Sequence, residues 1–200
     1  MPVGVSRETE DRLRHYEALV HKWQKAINLV GPKTLDGLWQ RHIIDSLQLL
    51  PIIRDDAKTL FDFGSGAGFP GMVLAIARSD VNVTLVESDQ RKCSFLQAVS
   101  RETKTPVQIK NMRIEQLGTE EKPDVITARA LAPLDDLLRL SMSFAQYNHR
   151  LQLVFPKGAQ AAAELEKARK SYDFEHVSFP SETGADACIL SLTALCVKTT

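Results

Sequence analysis

The chain has 200 residues, of which 44% are hydrophobic and 25% charged, enough for one domain with a sizeable core. This composition excludes collagen-like, disordered and disulfide-scaffold proteins. Lys plus Arg and Asp plus Glu both number 25, so the formal charge is zero and overall charge does not indicate a polyanionic partner.

Signals for export, membrane insertion and metal binding are missing from the sequence. The N-terminal Met-Pro-Val-Gly-Val-Ser lacks the features of a signal peptide, and no apolar run reaches the ~18 residues of a membrane span. Cys93, Cys188 and Cys196 are odd in number and lack CxxC spacing, which argues against a disulfide framework and a zinc site. We therefore expect a cytoplasmic protein without metal or membrane contacts.

Residues 1–57 are predicted to form a small helical module. Apolar residues recur at steps of three and four, typical of an amphipathic helix: Leu13, Tyr16, Val20, Trp23 and Ile27. Ser6 is a candidate cap for this helix, and Gly31-Pro32 is predicted to end it. A second helical pattern covers residues 35–50 and closes at Pro51. Because the apolar face needs a partner surface, we expect the module to pack on the rest of the chain.

Residues 58–200 alternate between strand and helix patterns. The predicted strands are 59–63, 82–87, 107–110, 124–127 and 151–155, and the predicted helices are 71–78, 90–102, 134–145 and 159–170. This alternation indicates a mostly parallel sheet. Two further strands, 175–179 and 188–197, have no helix between them and must pair as an antiparallel hairpin. The predicted fold is α/β, with a doubly wound sheet of seven strands.

The most informative stretch is 60–71, Leu-Phe-Asp-Phe-Gly-Ser-Gly-Ala-Gly-Phe-Pro-Gly. A strand leads into three glycines at alternate positions, Gly64, Gly66 and Gly68, and then into a helix. Glycine is required where the backbone takes positive φ or where a ligand lies against the main chain. After the first strand of a parallel sheet, that ligand is usually a nucleotide-like cofactor. The alternative is a tight strand–helix turn without a ligand.

Two other nucleotide-binding patterns fit this loop less well. Gly66-x-Gly68-x-x-Gly71 satisfies the dinucleotide fingerprint, but counting from Gly64, directly after the strand, Phe69 replaces the last glycine. The residues that follow complete one sheet and leave no substrate domain for hydride transfer. A P-loop is excluded because no Gly-Lys-Ser/Thr follows the glycines.

Glu87 ends the second predicted strand, about 20 residues after the glycines. A carboxylate at this position can accept hydrogen bonds from both hydroxyls of an unphosphorylated ribose. The alternative is an exposed acid at a strand end. Placed after this loop, the ribose interpretation is favoured.

The glycine loop, the acid after the second strand and the terminal hairpin resemble class I S-adenosylmethionine-dependent methyltransferases. Further motifs follow in order: Trp23-x(4)-Asn28-Leu29, Arg41-His42-Ile43-Ile44-Asp45-Ser46-Leu47, the extended loop 64–71, Asn111-x-Arg113-x-Glu115, Arg129-Ala130 and Lys157-Gly158. Together they resemble the bacterial small-subunit (16S) ribosomal RNA guanine-N7 methyltransferase family, historically called glucose-inhibited division protein B. The resemblance covers residues 13 to 160.

This resemblance implies a Rossmann-like fold, S-adenosylmethionine as methyl donor, and 16S rRNA in the 30S subunit or its assembly precursor as partner. By position, it assigns cofactor contacts to Gly64, Phe69, Ile114, Glu115 and Arg129. From their positions in the loop and at the end of the second strand, we also expect Gly66, Gly68 and Glu87 to bind the cofactor. We expect a monomer.

The predicted site contains no general base, which agrees with methylation at guanine N7. That nitrogen has a lone pair and no proton, so orientation is the main demand on the protein. Residues 127–133 are Thr-Ala-Arg-Ala-Leu-Ala-Pro rather than an Asn/Asp-Pro-Pro-aromatic motif, which argues against methylation of exocyclic amines. No cysteine follows a proline there, so covalent attack on pyrimidine C5 lacks a nucleophile.

Three basic residues, Arg113, Arg129 and Lys157, lie just past predicted strand ends, on the rim that carries the glycine loop. We expect Arg113 and Lys157 to hold RNA phosphates or base edges, and Arg129 to support the cofactor and the guanine. Each alone would be an ordinary surface charge.

The helical module has a polar set made of Asn28, His42, Asp45 and Ser46. These residues either face the rim and contact RNA, or serve helix capping and hydrogen bonds between helices. The alternatives for the whole chain are a methyltransferase of small molecules or proteins, a noncatalytic nucleotide-binding or RNA-binding module, and an NAD-dependent oxidoreductase.

Overall fold

The computed structural model describes residues 4–118 and 121–198. Helix α1 (Arg7–Gln24) opens the chain, and Ser6 caps it as predicted, because its Oγ accepts a hydrogen bond from the Thr9 amide at 3.1 Å. A 3-10 turn (Pro32–Thr34), a π-helical segment (Trp39–Ile44) and the short helix α2 (Asp45–Leu47) follow.

Helix α1 ends at Gln24, so the predicted end at Gly31-Pro32 is wrong. The Gln24 side chain explains the early end. Its Oε1 accepts hydrogen bonds from the amides of Leu29 and Val30 at 2.9 and 3.0 Å, and its Nε2 donates to the Val30 carbonyl at 2.9 Å. These bonds satisfy the backbone groups of Leu29 and Val30, so no further turn of helix is needed to pair them. The second predicted helix, 35–50, is helical but shorter than predicted, because it consists of the π-helical segment and α2.

The rest of the described chain alternates strands and helices: β1 (Thr59–Phe63), α3 (Gly71–Ala77), β2 (Asn82–Glu87), α4 (Gln90–Glu102), β3 (Gln108–Asn111), β4 (Val125–Ala128), α5 (Leu134–Ala145), β5 (Gln152–Lys157), α6 (Ala161–Ala168), β6 (Tyr172–Pro180) and β7 (Cys188–Val197). A 3-10 turn, Ile114–Gln116, follows β3. Strands β1, β2 and β7 and helices α4 and α5 have the predicted limits. The other elements differ from prediction by one to three residues at an end.

Within the described residues the strands form one seven-stranded sheet in the order β3-β2-β1-β4-β5-β7-β6. β1 to β5 are parallel, and β7 runs antiparallel to both β5 and β6. The predicted doubly wound sheet with a terminal hairpin is confirmed. The strand order reverses between β1 and β4, and ligands of open α/β sheets bind at such a reversal.

Alternate residues of the strands face two hydrophobic clusters. Leu60 and Leu85 belong to the cluster that contains the buried residues of α1, α3 and α4, whereas Phe61 and Phe63 belong to the cluster with α5 and α6. The module therefore packs on the sheet face that also carries α3 and α4. The division into a module of residues 1–57 and a cofactor-binding domain of residues 58–200 stays a prediction.

The parallel strands place their carboxyl ends at one rim. Phe63 of β1 pairs with Val86 of β2 on one side and with Ala128 of β4 on the other. The next residues, Gly64, Glu87 and Arg129, therefore stand side by side where the strand order reverses. Across the described residues, no helix combines the length and the apolarity needed to cross a bilayer.

Candidate active site

The turn after β1 is tied to the end of β2 by the carboxylate of Glu87. Its Oε2 accepts a hydrogen bond from the Gly66 amide at 2.8 Å, and its Oε1 accepts one from the Asp89 amide at 2.7 Å. Only 8% of Glu87 is exposed. Each carboxylate oxygen has a second lone pair, so Glu87 can hold the turn and still accept hydroxyl groups of a ligand.

The glycines of this turn differ in their surroundings. Gly66 has a φ of +56°, and a Cβ there would have only the Gly64 carbonyl oxygen within 4 Å, at 3.8 Å. Gly68 has a φ of +94°, and a Cβ there would lie 2.6 Å from the hydroxyl oxygen of Tyr16. Gly68 is therefore required for packing against α1. At Gly66, by contrast, the absence of a side chain leaves the main chain accessible to a ligand. Of these two glycines, Gly66 is therefore the one that leaves room for a ligand.

A cavity of about 530 Å³ opens beside this bare main chain. We name it the β2 cavity, and it is lined by Gly64, Gly66, Glu87, Ile114 and Glu115 among others. Its volume is typical of small-molecule sites, which span about 300–1,000 Å³. The structure thus gathers five residues predicted to bind the cofactor around one cavity. Their individual contacts with a ligand stay predictions.

A second cavity, of about 400 Å³, lies between the glycine turn and the helical module. We name it the module cavity. Gly64 and Gly66 line both cavities, and the opposite wall of the module cavity includes His42, Phe69 and Arg129. The β2 cavity and the module cavity therefore meet over Gly66. Together they form an elongated site that an adenosine and an amino acid moiety, joined end to end, would fit.

Arg129 follows β4 and is held by the helical module. Its Nη1 donates to the Arg41 carbonyl at 3.1 Å and to Asp45 Oδ2 at 3.0 Å, and its Nη2 lies 2.6 Å from His42 Nδ1. The guanidinium also lies over the Phe69 ring, 5.3 Å from its centroid. An arginine always carries its protons, so Nδ1 of His42 must be the acceptor. Three contacts thus fix the orientation of Arg129.

His42 is neutral in this arrangement. Burial, and secondarily the adjacent Arg129 charge, lower the pKa of His42 to about 4. Its ring stacks on Phe69 with a centroid distance of 4.9 Å, and Phe69 stacks on Tyr16 at 5.2 Å. The column of rings connects helix α1 to Arg129 through the glycine loop.

A third cavity, of about 490 Å³, lies past the carboxyl ends of β4 and β5, and we name it the β5 cavity. Arg129 lines both this cavity and the module cavity, and Ala130 lines all three cavities. Leu131, 39% exposed, and Ala132 line both the β5 cavity and the β2 cavity. The site therefore has an elongated part over Gly66 and a separate part that meets it at Arg129 and Ala130.

Residues 9–187 match the model of the family described as rRNA small subunit methyltransferase G. The chain belongs to this family. It is 49% identical over 189 residues to the ribosomal RNA small subunit methyltransferase G of Paramagnetospirillum magneticum, with 94% of this chain and 90% of the relative covered. The corresponding protein of Rhodospirillum centenum is 47% identical over 193 residues, covering 96% and 87%.

Solved structures with little sequence similarity have the same fold as this methyltransferase G family member. One is a magnesium protoporphyrin IX methyltransferase from Synechocystis with bound S-adenosylmethionine, at a TM-score of 0.58 and 13% identity, covering 98% of this chain and 99% of the other. Another is a ribosomal protein L11 methylase from Lactobacillus delbrueckii, at a TM-score of 0.58 and 15% identity, covering 74% and 76%. Family membership and fold confirm the predicted enzyme class, an S-adenosylmethionine-dependent rRNA methyltransferase.

Lys157 of this methyltransferase is engaged within the protein. Its Nζ lies 2.8 Å from Glu164 Oε2 and donates to the Ala132 carbonyl at 3.0 Å, and only 8% of the side chain is exposed. The same Glu164 oxygen accepts a hydrogen bond from the Leu134 amide at 2.7 Å. Lys157 therefore fastens the segment between β4 and α5, and its predicted role in holding RNA would require this ion pair to open. That role stays a prediction.

The polar residues of the module divide into two groups. Ser46 is fully buried and its hydroxyl donates to the His42 carbonyl at 2.6 Å, which favours the alternative of hydrogen bonds within the module. Its contact with RNA stays a prediction. Asn28 is exposed and accepts a hydrogen bond from Gln24, outside the three cavities. His42 and Asp45 do reach the site, where both hold Arg129.

Arg113 is exposed beside Ile114 and lines the β2 cavity but not the β5 cavity. Its expected contact with RNA stays a prediction. Among residues 4–118 and 121–198, no three His, Cys, Asp or Glu side chains are grouped as metal ligands would be.

Sequence reasoning missed the residues that act through contacts distant in the chain. Tyr16 was identified only as an apolar helix position, yet its hydroxyl donates to the carbonyl of Ala67, 51 residues away. Thr183 lies in a turn-rich segment and donates to Asp45, 138 residues away. Neither pairing has a signal in local sequence.

Proposed function

We propose that this methyltransferase moves a methyl group from S-adenosylmethionine to N7 of a guanine in 16S rRNA of the small ribosomal subunit. The observation that carries the proposal is that the three cavities meet at Ala130, next to Arg129, which lines the β5 cavity and the module cavity. A donor extended over Gly66 and an acceptor base in the β5 cavity would face each other there. S-adenosylmethionine, when bound, supplies an electrophilic methyl group on a sulfonium.

The residues of the elongated part fit that donor. Glu87 accepts the ribose hydroxyls in the β2 cavity, beside Ile114 and Glu115, which we assign to the adenine. The bare main chain at Gly66 admits the ligand at close range. Phe69 supports the floor of the module cavity under Arg129. The assignments of Phe69, Ile114 and Glu115 follow the family resemblance, and those of Gly66 and Glu87 follow their positions in the loop and at the end of β2.

The β5 cavity fits the acceptor base. At about 490 Å³ it has room for one nucleobase with its sugar. Because the cavity lies inside the rim, the target guanine must leave its stack to enter it. The guanidinium of Arg129, fixed by three contacts on one side, presents its remaining face to that base. Arg129 thus orients the acceptor next to the donor.

The charged groups of the β5 cavity are paired, which suits a reaction without proton removal. Asp45 forms an ion pair with Arg129, and Glu164 forms one with Lys157. Since N7 has no proton to lose, neither carboxylate needs to be free as a base. Holding the N7 lone pair in line with the methyl can by itself supply as much as ~7–11 kcal/mol of rate acceleration.

We further propose that the enzyme acts as a monomer in the cytoplasm, on the 30S subunit or its assembly precursor. A formal charge of zero gives weak attraction to naked RNA. A ribonucleoprotein surface supplies shape as well as charge, which suits such an enzyme.

The decisive experiment maps the modified base. Borohydride–aniline cleavage, which reports N7-methylguanine, is applied to 16S rRNA from cells with and without this gene. We expect one cleavage site that disappears without the gene and returns when purified enzyme and S-adenosylmethionine are added to 30S subunits. Incorporation of labelled methyl groups only into protein or small molecules would refute the RNA assignment.

A further inference from the structure

The turn between β6 and β7, residues 181–187, forms one wall of the β5 cavity. Ser181, Ala187 and Cys188 contribute to that wall. The turn is far from the module in sequence, yet Gln48 of the module holds it directly. Gln48 Oε1 accepts a hydrogen bond from the Glu182 amide at 2.9 Å, and its Nε2 lies 3.3 Å from Ser181 Oγ.

Asp45 joins the same turn to Arg129. Its Oδ1 accepts hydrogen bonds from the Thr183 hydroxyl and, at 2.8 Å, from Gln48 Nε2, while its Oδ2 accepts one from Arg129 Nη1 at 3.0 Å. We name Asp45, Gln48, Ser181 and Thr183 the turn clasp. Because both Asp45 oxygens accept hydrogen bonds inside the protein, this carboxylate works as a connector rather than as a contact for the base.

We infer that the turn clasp is a positioning device for the acceptor, which sets the wall of the β5 cavity and the orientation of Arg129 together. This inference rests on the proposed function. An unclasped turn would have to be ordered when RNA binds, and that entropic cost would weaken acceptor binding. The donor site would be spared, because residues 181–187 line neither the β2 cavity nor the module cavity, and Arg129 keeps its contacts with the Arg41 carbonyl and with His42 when the turn is released. Gln48 and Thr183 are thus positioning residues.

Thr183→Val tests the inference, since it keeps the shape of the side chain and removes the hydroxyl donated to Asp45. We expect KM for 30S subunits to rise about tenfold, the size of one lost charge-assisted hydrogen bond. The dissociation constant of S-adenosylhomocysteine, measured by calorimetry, should be unchanged. Thr183→Ser, which keeps the hydroxyl, should restore the wild-type KM.

The matched control is Thr193→Val, on the same hairpin, where the described residues include no hydrogen-bond partner for the side chain. Thr193→Val should leave both KM for 30S subunits and the dissociation constant of S-adenosylhomocysteine unchanged. Hydrogen exchange gives a readout independent of activity: the Glu182 amide should exchange faster in Thr183→Val and in Gln48→Met than in wild type.

The outcomes separate the inference from the proposed function. Wild-type KM and unchanged exchange in Thr183→Val would overturn the inference while methylation by the wild type upholds the function. An equal loss of S-adenosylhomocysteine binding would also overturn it, because the effect would then be general. Failure of the wild type to methylate 30S subunits would overturn both.

Discussion

At the scale of single residues, Gly66 and Gly68 both have a positive φ, but they are needed for different reasons. Gly66→Ala puts a methyl group into the open space where the two donor cavities meet, at a backbone strain of about 1–2 kcal/mol. Gly68→Ala drives a methyl group against the hydroxyl of Tyr16. We expect Gly66→Ala to lose S-adenosylhomocysteine binding at least tenfold while remaining folded. Gly68→Ala should lose about 1–3 kcal/mol of stability through overpacking, in addition to strain.

Calorimetry and urea denaturation distinguish these two variants. If Gly66→Ala bound the ligand as wild type does, the donor site would not lie against this turn.

Glu87 is expected both to hold the glycine turn and to bind the donor, and both roles can be tested. Both carboxylate oxygens accept backbone N–H groups, whereas an amide offers one acceptor and would turn its NH₂ toward Gly66 or Asp89. Glu87→Gln should therefore weaken S-adenosylhomocysteine binding at least tenfold, equivalent to about 1.5–3 kcal/mol. Glu166→Gln, an exposed acid outside the three cavities, is the calorimetric control. Equal affinities in the two variants would remove Glu87 from the donor site.

At the scale of elements, helix α1 supports the glycine turn through one hydroxyl. Burial raises the pKa of Tyr16 well above its ordinary value, so the phenol keeps the proton that it donates to Ala67. Tyr16→Phe removes this partner and should cost about 1–3 kcal/mol of unfolding free energy in urea titrations. Tyr147→Phe, at a tyrosine that is 55% exposed, should change stability little. Comparable stability of both variants would contradict a supporting role for α1.

The elements of the sheet were easier to predict than those of the module. Strands such as β2 alternate residues between two buried faces and end at a charged residue, so their limits follow from a local pattern. The module depends on side chains such as Gln24, whose bonds to Leu29 and Val30 end α1 early. The pattern of apolar residues in the sequence does not predict that contact.

At the scale of the whole molecule, stability should depend on the ionisation of Asp62 in β1. Its Oδ1 accepts a hydrogen bond from Thr127 at 2.8 Å, but its buried Oδ2 has no hydrogen-bond partner among the described residues. Burial raises the pKa of Asp62 from 3.8 to about 6. The folded state therefore holds a proton that the unfolded state releases above pH 3.8. The contribution of Asp62 to the free energy of unfolding is complete below pH 3.8 and is lost as the pH rises through about 6.

Asp62→Asn removes this dependence. Since one pKa unit is about 1.4 kcal/mol, the stability of the variant relative to wild type should rise by about 2 kcal/mol between pH 4 and pH 7. Urea denaturation across that range measures the difference. His42 gives wild type an opposite slope, because its lowered pKa favours folding as pH rises, but this slope is common to both proteins and cancels. A constant difference, as expected for the exposed Asp36→Asn control, would contradict the assignment.

The sequence alone determined the mostly parallel sheet, its terminal hairpin and the rim at which we propose that the donor binds. Gly66, Glu87 and Arg129 each stand where a strand ends, and parallel strands bring their ends together whatever the details of packing. Alternation with helices, and the absence of a helix before β7, were enough to predict a mostly parallel sheet that ends in an antiparallel hairpin, but not its order of strands.

Only the tertiary structure decided which charged side chains face the site and which are paired within the protein elsewhere. Lys157 and Arg129 occupy equivalent positions after strands, yet Lys157 is paired with Glu164 and fastens a loop, while Arg129 is held by the module at the meeting point of the cavities. The physical reason is that ion pairs and hydrogen bonds depend on distances of about 3 Å between groups far apart in the chain. Local sequence patterns do not encode such distances, so the division of roles among the polar residues appears only once the chain is folded.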